Sequence, residues 1–395
     1  MIEHRDRSTP RRALRTALLL ATLAVAASGC QTAGYYRQAI SGQWQILTHR
    51  QPLRDLIAAT NTPPALRDKF QLVLRLREFA ARELHLPVDG HYERYVDVHR
   101  RFVVWNVHAA PELSLEASSW WYPVVGRLQY RGYFSEPLAR QYAAKLERQG
   151  LDVYVGGVEA YSTLGWFKDP VLNTFIHHDE ADLAEILFHE LAHQKLFFPG
   201  DTDFNEAFAT AVAEEAARRW LTHAGDAAAI RRYEAGRQRQ EQFVRLVMAA
   251  RARLEVLYGE QPDGEKAAKR PAPRTPADAS ILRVEKEKIL ARLRHDYATL
   301  KAGWGGHGEY DPWFARPLNH ARLNTVATYY DLVPGFRRLL EAGGGDLEKF
   351  YHEVRTLKKL SKAARRQHLE RLGPAGARPP ANPDLSPAAR NTDAP

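Results

Sequence analysis

Apolar and polar residues alternate along this 395-residue chain with two periods, and the switches between them mark its elements. Residues 35–85 follow the helical period, broken at Pro52 and at Pro63-Pro64, where the missing N–H ends a helix. From 94 to 130 the β-branched and aromatic runs YVDVHRRFVVWNV and WWYPVVGRLQY predict strands. A helix is expected over 136–149. Ser135 is its cap, Leu138, Tyr142 and Leu146 share one face, and Gly150 stops it. LDVYVGGVEAYSTLG, residues 151–165, reads as a strand interrupted by glycine. Two helices follow, an amphipathic one over 181–197 and an alanine-rich one over 204–222, joined by the turn Phe198-Pro199-Gly200-Asp201.

Two longer helices are predicted at 227–258 and 281–301. Phe243, Val247, Leu254 and Leu257 line one face of the first, and Leu282, Ile289, Leu293, Tyr297 and Leu300 one face of the second. The stretch 260–280 between them is rich in Pro, Lys and Ala and reads as a mobile loop at the tip of a helical hairpin. Residues 373–395 hold several prolines and few apolar groups, the composition of a disordered tail. No repeat period is visible. The expected class is α+β and helix-dominated, with 45% apolar and aromatic residues, ample for a large core.

The first 29 residues are excluded from this fold. Arg5, Arg7, Arg11, Arg12 and Arg15 precede ALLLATLAVAA at 17–27, an apolar run too short for a permanent span. Ala27-Ser28-Gly29-Cys30 resembles the lipobox of bacterial lipoproteins. That resemblance implies a signal peptide at 1–29, cleavage before Cys30 and a lipid on its thiol. Cys30 is the only cysteine, so an internal disulfide is excluded. Gln31 follows it where an aspartate would mark inner-membrane retention. By analogy the chain sits at the outer membrane, facing the periplasm. Residues 30–372 then form the folded domain. Removing 1–29 takes away five arginines and two acidic groups, which lowers the formal charge from +9 to +6. No basic patch is interleaved with aromatics, which argues against nucleic acid, while the spare positive charge suits an anionic membrane surface.

The chemistry is concentrated in His189-Glu190-Leu191-Ala192-His193. Residues i and i+4 share a helical face, so the two imidazoles can grip one zinc ion, and Glu190 lies beside the metal as a general base. A catalytic zinc site takes a third protein ligand and keeps one position open. Glu206, in Asn205-Glu206-Ala207-Phe208-Ala209, is the expected third ligand once the turn folds the second helix back. Glu214 and Glu215, further along that helix, compete with it.

HELAH followed by NEAFA resembles the gluzincins, zinc peptidases whose third ligand is a glutamate, and NEAFA is similar to the NExxA of aminopeptidase N. Here 12 residues separate His193 from Glu206, fewer than in that group. Nearly the whole chain after Cys30 is similar to a family of predicted bacterial lipoprotein aminopeptidases. The shared segments are YYRQAISGQWQIL at 35–47, VVGRLQYRGYF at 124–134, AYSTLGWFKDP at 160–170, HELAHQKLFF, NEAFAT, and LNTVATYYDLVPGF at 323–336.

The resemblance implies a zincin-like fold with a small mixed sheet, two metal helices beneath it and a helical C-terminal part. It implies one zinc ion, peptide substrates and an aminopeptidase activity. Tyr329 is the candidate to stabilise the oxyanion, with Tyr330 the alternative. Glu159 in GGVEA, similar to the GxMEN strand of aminopeptidase N, is the candidate for holding the substrate amine. His177 and His178 are expected in a loop or cap role. His307, in GWGGHGEYDPWF, is placed to line a cleft, and His320 has no ligand spacing. An endopeptidase, and a non-catalytic zinc-binding assembly protein, are the rival readings.

Overall fold

Prolines and capping side chains set most element boundaries. The computed structural model describes residues 32–123, 125–163, 167–260 and 275–372. The residues expected to form a signal peptide, Cys30, the expected tail 373–395 and most of the expected loop 260–280 lie outside them. Helix α1 covers 32–48. Then come β1 (Gln51–Pro52), α2 (Leu53–Ala58) and α3 (Pro64–Arg82), with Pro64 at the first turn, where no N–H is missed. The strand-rich part follows as β2 (Arg94–Val96), β3 (Val104–Pro111), β4 (Trp120–Tyr122), β5 (Gly126–Leu128) and β6 (Arg131–Tyr133). Helix α4 (Glu136–Glu147), β7 (Leu151–Val158) and β8 (Val171–Leu172) lead into α5 (Glu180–Lys195) and α6 (Thr202–Ala224). The C-terminal part is helical: α7 (Ala227–Tyr258), α8 (Pro276–Gly303), α9 (Asp311–Ala315), α10 (His320–Tyr330), α11 (Val333–Ala342), α12 (Leu347–Thr356) and α13 (Lys362–Leu372).

The class is α+β and helix-dominated. The single mixed sheet expected from the sequence is instead three small ones. Strands β1, β2 and β8 make a mixed sheet, β6, β3 and β7 an antiparallel one, and β4 and β5 a hairpin. The run YVDVHRRFVVWNV splits because β2 pairs with β1 and β8, whereas β3 pairs with β6 and β7. Strand β7 ends at Val158, short of the predicted 165, where its pairing with Val104 of β3 ends. Helix α8 begins inside the stretch read as a loop. Thr275 accepts from the Asp278 N–H at 3.1 Å and Asp278 accepts from the Thr275 N–H at 3.1 Å, a reciprocal capping box. No helix among the described residues is long and apolar enough to cross a membrane.

Helix α5 is amphipathic: Leu183, Ala184, Leu187, Phe188, Leu191 and Ala192 are all fully buried on one half of the helix, opposite Glu185, His189 and His193. Burying a Leu or Phe of this kind stabilises by about 1.5–3 kcal/mol. The core around α5 draws on α3, α6, α11 and α12 through Phe70, Leu76, Phe204, Phe208, Phe336 and Phe350. A second core joins α7, α8, α9 and α10 around Phe243, Leu290 and Trp313. A third lies between β3 and α4, around Val107 and Ala139.

The turn between α5 and α6 decides where the α6 side chains go. Asn205 fastens it from both ends: Oδ1 accepts from the Phe198 N–H at 2.9 Å, and Nδ2 donates to the Phe198 carbonyl at 2.9 Å. Gly200 turns the chain at φ +80° and donates its N–H to the Val125 carbonyl at 3.0 Å. Gly126, also in the left-handed region, comes so close that a Cβ there would lie 3.0 Å from the Gly200 nitrogen. Buried Asp201 accepts from the Arg365 guanidinium at 2.8 and 3.0 Å, tying α13 to the same turn.

Candidate metal centre and cleft

His189 and His193 stand one turn apart on buried α5, their rings 4.9 Å apart and nearly perpendicular. With Asn205 holding the turn, the next residue, Glu206, reaches both. Its Oε2 lies 3.4 Å from His189 Nε2 and 3.5 Å from His193 Nε2, and the donor atoms of all three lie within 4.8 Å of one another. Four ligands around zinc at ~2.0–2.1 Å are separated by about 3.3–3.4 Å, the edge of the tetrahedron. The two Glu206 distances match that edge, and the nitrogen–nitrogen–carboxylate donor set suits a metal ion of this kind.

The electrostatics point the same way. Burial pushes the Glu206 carboxyl up, but the two imidazoles outweigh it and hold the group well below the usual carboxylate range. Burial, reinforced by the neighbouring His193, lowers His189; Glu206 offsets this only in part. Burial also acts on His193, yet Glu206 and Glu190 together raise it. Glu190 is buried, and burial pushes its carboxyl up to about 8, against the pull of His193. Its Oε2 has no hydrogen-bond partner among the described residues. A buried carboxylate oxygen with no protein donor, next to a metal triad, is placed to bond a water or substrate proton.

The competing carboxylates are used elsewhere. Glu214 is gripped by Arg237 and by Arg337, the latter at 2.7 Å. Glu215 pairs with Arg218 at 2.8 Å and Arg219 at 2.6 Å. Neither belongs to the metal triad.

A cleft of about 300 Å3 opens beside the triad. Its walls are residues 156–160 at the end of β7, Asn106 and His108 of β3, Glu185, Ile186, His189 and Glu190 of α5, and Tyr329 and Tyr330 of α10. The antiparallel sheet is ordered β6-β3-β7, which leaves β7 at its edge, against the cleft. Gly157 permits this packing, because a Cβ there would lie 2.3 Å from the Phe102 ring. None of the described lining residues is a lysine or arginine, while Glu159, Glu185 and Glu190 are carboxylates.

The two candidate tyrosines separate. The Tyr329 ring stacks on His189, and burial together with Glu206 raises its hydroxyl well above the ordinary value. The Tyr330 hydroxyl accepts from Gln240 Nε2 at 2.7 Å, away from the triad. Glu159 lies in the cleft wall, as its sequence context implies, with Oε2 2.6 Å from His178 Nε2. His178 thus supports that carboxylate instead of merely capping a loop. His177 and His307 are exposed and absent from the described cleft wall. His320 is fully buried, with Nδ1 3.1 Å from the Pro111 carbonyl and Nε2 3.2 Å from the Tyr258 hydroxyl, a structural role.

Three cleft residues went unrecognised in the sequence. Asn106 and His108 alternate along β3, and a period of two puts both on one face. Burial pushes His108 down to about 4, so it stands in the cleft as a neutral imidazole near Glu206. Glu185 is one turn before His189 on the same helix, a signal the HELAH motif overshadowed. Its Oε2 accepts from the Tyr233 hydroxyl at 3.0 Å, and burial raises its carboxyl.

A family model described as "putative aminopeptidase" matches residues 34–369. No curated protein and no solved structure matches the chain.

Proposed function

The chain belongs to the aminopeptidase family whose model covers all but its ends, and from that premise we propose that it is a zinc-dependent aminopeptidase acting on periplasmic peptides. The observation that carries this reading is Glu206 lying 3.4 and 3.5 Å from the His189 and His193 nitrogens, beside the partnerless Glu190 oxygen. His189, His193 and Glu206 would hold the zinc, which would supply Lewis acidity and bring the pKa of water to about 7.

The chain's own residues do the rest. Glu190 accepts the proton of the attacking water and returns it to the departing amine. Tyr329, stacked on His189, donates a hydrogen bond from its hydroxyl to the developing oxyanion. Strand β7, at the sheet edge and lining the cleft at 156–158, offers backbone N–H and C=O groups to an extended peptide. Glu159, held by His178, takes the substrate's α-ammonium, in a cleft whose described walls carry no competing cation. A site built for a C-terminal carboxylate would need a basic group here, so the charge pattern favours the amino end of the peptide.

The localisation belongs to the same proposal: a lipid on Cys30 anchors the chain to the outer membrane on its periplasmic side. The activity is tested with aminoacyl-coumarin substrates. Hydrolysis should vanish on chelation, return with added zinc, and be lost by orders of magnitude in Glu190→Gln. Hydrolysis that survives exhaustive chelation would sink the metal mechanism.

A further inference from the structure

Helix α1 is held on one side and bare on the other. Its inner face is fixed by Gln38, whose Oε1 accepts from the Phe134 N–H at 2.8 Å, by Gly42 packed on the Phe134 ring, and by buried Ile46. The outer face carries Tyr36, Ile40 and Trp44 at i, i+4 and i+8, one helical stripe. These are 38%, 68% and 66% exposed. Exposed Arg37 flanks the stripe. Beside α1 stands a further exposed tryptophan, Trp121 of β4, whose neighbour Tyr122 meets the Tyr35 ring at 6.1 Å.

We infer that the Tyr36–Ile40–Trp44 face of α1 docks into the headgroup boundary of a phospholipid bilayer. The inference rests on the proposed anchoring of the chain through Cys30. Cys30 lies two residues ahead of the helix, so a lipid there brings α1 to the membrane surface before any other element. The stripe from Tyr36 to Trp44 is about 12 Å long, enough to lie in the interface plane and far too short to span it. Tyrosine and tryptophan are the residues that favour this boundary, and Arg37 meets anionic headgroups. Three side chains on one helix are too few for a stable protein interface, which takes on the order of 800 Å2 per partner. Pinning α1 to the bilayer fixes the orientation of the folded body, because the inner face of the helix is rigidly attached to Phe134 and the core.

The test uses the full-length protein in vesicles of phosphatidylethanolamine and phosphatidylglycerol whose acyl chains carry bromine, a short-range quencher of tryptophan. Among the described tryptophans Trp44 and Trp121 are the exposed ones, and Trp44→Phe isolates the share of Trp44 in the wild-type signal. Fluorescence should fall relative to unbrominated vesicles. Trp44→Phe, which keeps the apolar face, should lose at least half of that quenching. Ile40→Asp, at an exposed position that leaves the core intact, should lift the quenching of Trp44. The mass of the N-terminal peptide and co-sedimentation with vesicles report the anchor separately. An acylated, co-sedimenting chain whose quenching is absent, or is the same in Trp44→Phe, overturns the docking while the anchor stands. A chain with no acyl mass overturns the anchor, and with it this docking.

Discussion

The ring of Tyr329 stacks on that of His189, centroids 6.1 Å apart and planes 26° from parallel, while the next residue, Tyr330, turns its hydroxyl to Gln240. The neighbours therefore carry separable roles. Tyr329→Phe should lower kcat by roughly a hundredfold with KM little changed, the loss expected for one oxyanion donor. Tyr330→Phe should keep kcat within severalfold. Steady-state kinetics of both variants on one aminoacyl-coumarin decides it. Equal losses would mean that Tyr329 acts only through packing.

Glu159 and His178, 2.6 Å apart, form the acidic end of the cleft. A charge-assisted hydrogen bond to an ammonium contributes about 1.5 kcal/mol or more, so Glu159→Gln should raise KM about tenfold or more for free-amine peptides. KM for an N-acetylated peptide, if one is cleaved at all, should not move. A rise shared by both substrate types would remove Glu159 from amine recognition.

Metal binding has a signature apart from turnover. The donor set of His189, His193 and Glu206 assembles only in the folded chain, so the proposed zinc would bind the native state preferentially. At a free concentration of a hundred times Kd this stabilises by about 2.7 kcal/mol. Scanning calorimetry should show a higher Tm with zinc for the wild type and little change for Glu206→Gln. The same shift in both proteins would place the zinc elsewhere.

His320 makes stability depend on pH. Burial first, and Lys286 second, push its folded pKa down to about 4, against the pull of Asp152. The unfolded imidazole titrates near 6.5. Above that value both states are neutral and nothing is lost. Between about 6.5 and 4 the unfolded chain takes up a proton that the folded chain refuses, so stability falls as pH falls. From pH 7 to pH 5 this one group should contribute a loss of roughly 2 kcal/mol. Urea unfolding at the two pH values should show that much less dependence in His320→Gln than in the wild type. Parallel slopes would contradict it.

The sequence reveals the metal site more fully than the sheet. The i, i+4 spacing of His189 and His193 is local, and helical geometry alone makes it a site. Glu206 was legible because the short turn at 198–201 folds the second helix back on the first, and Asn205 then locks it. Exclusion of Glu214 and Glu215 was not legible, since it depends on Arg237 and Arg337 arriving from distant helices. Strand pairing was equally hidden: nothing local in YVDVHRRFVVWNV says that its two halves join different sheets. The partnership of His178 with Glu159 links positions 19 residues apart through the loop before α5, and spacing gives no sign of it. The amphipathic pattern of α5 was legible, but not that Glu185, His189 and Glu190 on its polar side line a cleft.

The proposed activity is removal of single residues from the amino ends of peptides, with Glu190 as proton carrier. Its most direct test is mass spectrometry of a mixed peptide library, each peptide present both free and N-acetylated, incubated with the zinc-loaded full-length protein or with Glu190→Gln. The predicted result is stepwise loss of one N-terminal residue from the free peptides only, absent with the variant. Internal cuts in free and acetylated peptides alike would make the protein an endopeptidase. No cleavage that depends on Glu190, in protein shown to hold zinc, would contradict the enzyme itself and leave a zinc-binding assembly protein.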